Sequence, residues 1–314
     1  MIFFHSVRSF FREEAVAGLN IGEDYITATS LFLTEDKKLQ IKDIGYVENG
    51  RGLSDQETAK LIQRLWRDSN IQTKTVSFSI KSRLFALRYF NYPKLSDSEL
   101  NSALNIEAEQ MFQKPKEELC MDWFFSNNSK DKIGGIIAVT PLKVTEKYLN
   151  ILKMACLYPV AMEVPSFSIS NLFLSLNPSY IDNTVCIINL DRFDADFAII
   201  EGDKFIYPRN IYSKDVSWHA SSDYFVENVN DIIRYYEFKL HMKKVEKIIL
   251  TGEFLINKEL EHEIRNRFDI PIETWDPLKQ LGLGAGLSFK DKEGFRPIFN
   301  ASLGLAIREI KNVF

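Results

Sequence analysis

The sequence predicts an α/β protein of two large lobes, with a smaller α/β subdomain inserted into the first. Three observations carry this reading. Short strands alternate with amphipathic helices along the chain, the pattern of helices laid on mixed sheets. Two distant segments, "AGLNIGEDYITAT" and "CIINLDRFDADFAII", open alike, each with a strand, a sharp polar or acidic turn and a second strand, which implies a duplicated architecture around a cleft. At 314 residues, 45% hydrophobic and 26% charged, the chain is long enough for two domains and has the composition of a soluble globular protein.

The elements follow in order. Residues 1–15 stand apart as a tail or short amphipathic helix: Phe3, Phe4, Val7, Phe10 and Phe11 recur at helical spacing, but Arg8, Arg12 and Glu13 break any signal-peptide core. A helix packed on its own domain explains that spacing; a weak membrane-surface foot is the sharper alternative. From Val16 to Ser79 the pattern is three strands, a helix and a strand. "AGLNIG" and "YITATSLFLT" pair across the Gly22–Asp24 turn, and "LQIKDIGYVEN" adds a third strand. "SDQETAKLIQRLWRDSN" is a helix with Ser54 and Glu57 as its capping box and Leu61, Ile62, Leu65 and Trp66 as its apolar face. "TKTVSFSI" then alternates as a strand.

"FALRYFNYP" opens a different unit. Its first helix, "SDSELNSALNIEAEQMF", is capped by Ser96 with Glu99 and stopped at Pro115. "MDWFFSNN", "KIGGIIAVTP", "KVTEKYLNILKMACL" and "YPVAMEV" complete it as strand, strand, helix, strand. "PSFSISNLFLSLNP", between Pro165 and Pro178, returns as a helix to the first unit. From Thr184 come three strands in hairpin succession, the helix "SSDYFVENVNDIIRYYEFKLHM", the strand "KIILTGE", the helix "NKELEHEIRNRFD", "IPIETWDP" and the closing helix "NASLGLAIREI". The expected division is residues 16–83 with 165–183 as the first subdomain, 84–164 as the insertion and 184–314 as the second lobe.

Several function classes are set aside. A net charge of −4 argues against nucleic-acid binding. Cys120, Cys156 and Cys186 read as buried free thiols in a reducing compartment, and neither they nor the four histidines have metal-ligand spacing. No run of apolar residues is long enough for a transmembrane helix. No triad, nucleophile elbow or Walker loop is present. Gly134 and Gly135 in "KIGGIIAV" read as a strand bulge or turn, and "LGLGAGLSFKD" (281–291) follows no clear strand and opens no helix, so it lacks the context of a dinucleotide site.

The ordered motifs resemble the actin-like superfamily, and more closely the PilM proteins of type IV pilus assembly, which are similar in fold to the division protein FtsA. "AGLNIGEDYI" is similar to the family's first phosphate hairpin, and "LRYFNYPKLSDSELNSALNIEAEQMF" to a run in the inserted subdomain. "VCIINLDRFDADFAIIEGDKFIYPRNI" parallels the second hairpin, "DIIRYYEFKL" the helix after it, and "IILTGE" the adenosine-side strand. "WDPLKQL" and "NASLGLAIRE" resemble the closing segments, so the match runs from Val16 to Glu309. It implies an actin-like fold with an FtsA-like insertion, in a cytoplasmic protein held at the inner membrane through its partners.

The resemblance also implies a nucleotide cleft, and this chain departs from it at the walls. Asn20 and Asn189 replace the metal-orienting aspartates. Glu23, Asp24 and Tyr25 replace hydroxyl residues beside Gly22; Asp191 replaces a glycine; Asp194, Ala195 and Asp196 replace threonines; Glu253 follows Gly252 where a second glycine belongs. Two unit charges about 4 Å apart at an effective dielectric of 20 repel by roughly 4 kcal/mol. The expectation is a degenerate site, a pseudo-ATPase without cofactor or catalytic residues, its carboxylates solvated or satisfying one another. A working ATPase binding ATP and Mg²⁺ through unusual ligands is the alternative, and the acidic cluster taking a cation or basic segment is a further one.

The expected partner, again from the resemblance, is a PilN-like single-pass inner-membrane protein whose N-terminal peptide binds between the first and inserted subdomains; other platform proteins and self-association are further expectations. Leu84, Phe85, Leu87, Arg88 and Tyr89, flanked by Leu104 and Met111, are the candidate partner-binding residues, with core packing as the competing use of most of them. A type II secretion component of the same fold is an alternative that the end at Phe314, without a transmembrane helix, disfavours. A sugar kinase would need a substrate-binding aspartate that nothing singles out.

Overall fold

The computed structural model describes residues 16–36, 38–50, 52–202, 204–213, 222–253, 258–283 and 298–313. The first unit contributes β1 (Ala17–Ile21), β2 (Tyr25–Leu33), β3 (Leu39–Glu48), α1 (Asp55–Asp68) and β4 (Thr75–Ile80). The next run is β5 (Ala86–Pro93), α2 (Asp97–Phe112), β6 (Leu119–Asn128), β7 (Lys132–Pro141), α3 (Leu142–Met154), β8 (Tyr158–Glu163) and α4 (Pro165–Leu176). The last comprises β9 (Thr184–Leu190), β10 (Asp194–Glu201), β11 (Lys204–Tyr212), α5 (Ser222–Arg234), β12 (Lys247–Thr251), α6 (Lys258–Arg265), β13 (Ile272–Thr274), β14 (Gly282–Leu283) and α7 (Asn300–Val313).

The repeated hairpins seed two matching sheets. One runs β14-β3-β2-β1-β4-β8 and the other β11-β10-β9-β12-β13. In both, the hairpin strands are antiparallel, and the strands beyond the first join in parallel, β1 to β4 to β8 and β9 to β12 to β13. A third, antiparallel sheet, β5-β7-β6, belongs to the inserted segment. Helices α4 and α7 join the halves, and one apolar core containing Ile169, Phe173, Val185, Ile187, Phe299 and Leu303 draws on both. Close approach there requires glycine: a Cβ at Gly304 would lie 2.0 Å from the Ser168 carbonyl oxygen, and one at Gly18 would lie 1.9 Å from that of Ser302.

Local chemistry sets the helix ends. In α1 the Ser54 hydroxyl accepts from Glu57 N–H at 3.3 Å and the Glu57 carboxylate accepts from Ser54 N–H at 2.8 Å; Ser96 and Glu99 repeat this at α2. Helix α5 runs on into a π turn, Tyr235–Lys239, which seats Tyr236 in the core. Among the described residues, no helix is long and apolar enough to cross a membrane.

Three expectations change. Gly134 and Gly135 are regular members of β7, facing Asn91 and Phe90; the bulge lies across from them in β6, between Phe125 and Asn127. A Cβ at Gly135 would meet the Phe124 carbonyl oxygen at 2.1 Å, so the glycine serves close packing of the strands. Of the cysteines only Cys186 is buried; Cys120 is half-buried, and Cys156 is exposed in a left-handed turn with φ of 60°. "LGLGAGLSFKD" begins with the short strand β14, parallel to β3, and its remainder, like residues 1–15, lies outside the described residues.

Candidate functional site

The cleft forms where the two hairpins and the ends of β4 and β12 converge. Pairing stops at Ile21–Ile26 in the first hairpin and at Leu190–Ala195 in the second, so both turns have the same length. The first is closed by Gly22 N–H donating to the Tyr25 carbonyl at 3.0 Å, the second by Asp191 N–H donating to the Asp194 carbonyl at 2.9 Å. Asn20, Gly22, Glu23, Asp24, Asn189, Asp191, Asp194 and Glu253 all line one cavity of about 50 Å³, with Tyr25, Lys81, Ser82, Asp196 and Asn300. Gly252 sits behind this wall at φ of 101°, and a Cβ there would meet Leu190 backbone atoms at 2.6–2.8 Å.

The side chains satisfy one another. Asn20 accepts from the Ser79 hydroxyl at 2.8 Å. Asn300 donates to Asn189 Oδ1 at 3.0 Å and to the Thr251 hydroxyl at 2.7 Å, while Asn189 donates to Asp191 at 3.1 Å. Asn210 Nδ2 donates to Asp194 at 2.8 Å and to Asp196 at 2.9 Å. Glu23 is held by Lys81 and Arg83, each at 3.0 Å. Arg83 also stacks on Tyr212 of the other lobe, 4.7 Å from the ring centroid.

This geometry splits the carboxylates into two classes. Burial raises Glu23, but its hydrogen bonds and charge contacts with Lys81 and Arg83 outweigh burial and hold it below its ordinary value. Burial pushes Asp194 up to about 7, with the Asp196 charge adding to the effect, and pushes Asp196 up to about 6. Burial and the Glu253 charge lift Asp191 well above the usual carboxylate range; burial and Asp24 raise Glu253. Glu23 is thus favoured as an anion, while Asp191, Asp194, Asp196 and Glu253 are shifted toward their protonated forms.

Acidic and amide side chains line the cleft at the positions where the resemblance expects phosphate and metal contacts. Both cations near the first turn are engaged by Glu23, and Asn20 and Asn189 are amides, without the charge to orient metal-bound water. Among the described residues, no group of three or more His, Cys, Asp or Glu side chains is arranged to hold a metal ion. Lys81, Arg83, Asn210 and Asn300 are site residues that sequence reasoning did not assign. Lys81 and Arg83 were findable, since they follow the carboxyl end of β4, where open α/β sheets build their sites. Asn300 comes from the far end of the chain and carries no local signal.

The partner-binding candidates separate. Phe85 is 9% exposed in the first core, with Leu84, Leu87 and Tyr89 packed against it. Leu104 is fully buried in the insertion's own core, with Met111 against it, so it supports a surface and touches no occupant. Arg88 is exposed and paired with Glu107 at 2.5 Å, and Arg209 of β11 donates to the Leu87 carbonyl at 3.2 Å. The structure opens a different depression at the junction of α1 with the chain leaving α3. It encloses about 410 Å³ and includes Trp66, Arg67, Asn70, Lys74, Cys156 and Leu157. Beside it Met154, Tyr158 and Val160 are exposed, and β8 is the edge of its sheet.

Two matched α/β sheets around a cleft, with a third sheet inserted in the first half, define a protein of actin-like ATPase fold. The fold is shared with a Bacteroides thetaiotaomicron protein of actin-like ATPase fold and unknown function, at TM-score 0.52 and 14% identity, covering 84% of this chain and 92% of that one. It is shared also with the cytoplasmic domain of EpsL, an inner membrane component of the type II secretion system of Vibrio cholerae, at TM-score 0.51 and 8% identity over 95% and 94% of the chains. The PilM–PilN type IV pilus biogenesis complex is more similar, with TM-score 0.81 and 17% identity over 95% of this chain and 99% of that one. The family model of the type IV pilus assembly protein PilM matches residues 18–213, and this chain belongs to that family. No curated protein matches the sequence.

Proposed function

We propose that this chain is a scaffold of a type IV pilus assembly platform, held at the inner membrane by the N-terminal cytoplasmic peptide of a PilN-like protein, and that its cleft is a pseudo-ATPase site. The observation that carries the reading is family membership, supported by a fold shared over 95% of this chain with a chain of a PilM–PilN complex. The docking site proposed is the groove where α1 meets the chain leaving α3, at the β8 end of the first sheet. Trp66 and Leu157 give it apolar lining, Arg67 and Lys74 give it positive charge, and β8, the edge of its sheet among the described residues, offers backbone donors and acceptors to an extended peptide. Tyr158 and Val160, two residues apart, are exposed beside that edge.

Titration of the PilN-like N-terminal peptide tests the reading. Saturable binding is expected, weakened at least about tenfold by Tyr158→Asp, an exposed position whose change leaves the core intact. ATP–Mg²⁺ is expected neither to bind tightly nor to turn over. Absence of peptide binding would refute the scaffold reading; nucleotide turnover would refute the pseudo-ATPase reading and favour the working ATPase.

A further inference from the structure

The end of α5 carries a surface that neither the cleft nor the junction groove uses. Its π turn buries Tyr236 completely and turns Phe238 outward at 66% exposure and Tyr235 at 45%. Among the described residues, no large apolar side chain is more exposed than Phe238, and only Tyr158 equals it. Around these rings Arg234, Lys239, His241, Lys243 and Lys244 are all exposed. Residues 234–244 hold four Lys or Arg against one acid, Glu237, in a chain whose net charge is −4. The Glu237 carboxylate is turned to its own backbone, accepting from Val245 N–H at 2.8 Å. Lys243 pairs with Glu201 at 2.6 Å yet keeps 70% of its side chain in solvent. The exposed acids Asp231 and Glu246 mark the two ends of the patch.

We infer that this face rests directly on an anionic lipid bilayer, with Phe238 and Tyr235 at the headgroup boundary and the lysines and Arg234 on lipid phosphates. Aromatic rings favour that boundary, and long cationic side chains reach headgroups while their stems cover apolar surface. Phe238 projects from the helix end, while Tyr235 lies stacked on Tyr207 with ring centroids 5.6 Å apart, a shape suited to a soft interface. A folded acidic partner would need a complementary pocket for each ring. The face is separate from the peptide groove and stands whether or not the scaffold reading holds.

Co-sedimentation of the full chain with vesicles tests it, using phosphatidylcholine alone and phosphatidylcholine mixed with phosphatidylglycerol. Binding is expected only to the anionic vesicles, falling with added salt. The double variant Lys239→Glu/Lys244→Glu and the variant Phe238→Ala should each weaken it about tenfold while circular dichroism and PilN-like peptide titration stay unchanged. No vesicle binding, equal binding to neutral vesicles, or variants that bind like the wild type would overturn the inference. Capture of a poly-glutamate peptide through these residues, with vesicles ignored, would also overturn it and assign the face to an acidic protein. The variants separate this face from the Phe-rich residues 1–15, which they leave untouched.

Discussion

Replacing Asp196 by Asn is expected to stabilise the protein near pH 8 and to change little near pH 5. Asp194 and Asp196 accept from the same Asn210 nitrogen at 2.8 and 2.9 Å, so those oxygens stand at most about 5.7 Å apart, the sum of the two bonds. Two full charges at that separation, at an effective dielectric of about 20, repel by about 3 kcal/mol. The folded pKa values, about 7 and about 6, lie above the unfolded value of 3.8, so the folded state keeps protons that the unfolded chain releases. Their contribution to stability is therefore full below about pH 4 and is lost as pH rises through about 6 and 7. Asn keeps an acceptor for Asn210 and removes the second charge, for an expected gain of about 1–3 kcal/mol at pH 8, a few degrees in Tm. Thermal unfolding of both proteins across this window measures it. A variant less stable at every pH, or a stability difference that does not grow with pH, would refute the shared-charge account of the cleft.

The opposite result is expected at Glu23. Glu23→Ala leaves Lys81 and Arg83 without their anion and should cost about 2–4 kcal/mol near neutral pH, read by urea unfolding. Because the folded pKa of Glu23 is lowered, its contribution is present above about pH 4.5 and disappears as pH falls through the lower folded value, so the variant's deficit should shrink in acid. Gly304→Ala drives a Cβ into the Ser168 carbonyl and should cost more than about 2 kcal/mol, while an equal Tm would show that α4 and α7 can part. Gly252→Ala adds backbone strain at φ of 101° to a Cβ 2.6–2.8 Å from Leu190 backbone atoms and should lose more than about 2 kcal/mol, measurable by chemical denaturation.

Much of this protein was legible in the residues. Alternation, capping boxes at Ser54 and Ser96 and the proline brackets around 165–178 are local signals, so they mark elements without knowledge of the partners. The duplicated hairpins were equally visible, because a turn with its two strands occupies one short stretch. The family resemblance also marked Asn20, Glu23, Asp191 and Glu253 as departures from a phosphate-binding pattern. What those residues do instead was decided only in three dimensions. The tie of Glu23 to Lys81 and Arg83, and of Asn300 to Asn189, joins residues 58 or more positions apart, and no periodicity records such pairing. The same holds for the surfaces. Leu104, a candidate flank of the partner-binding stripe, fills the insertion's core, the competing use, whereas the groove exists only because α1 meets the chain leaving α3. Sequence carries the local code of each element; exposure, shared protons and grooves are properties of elements brought together, and only their packing decides them.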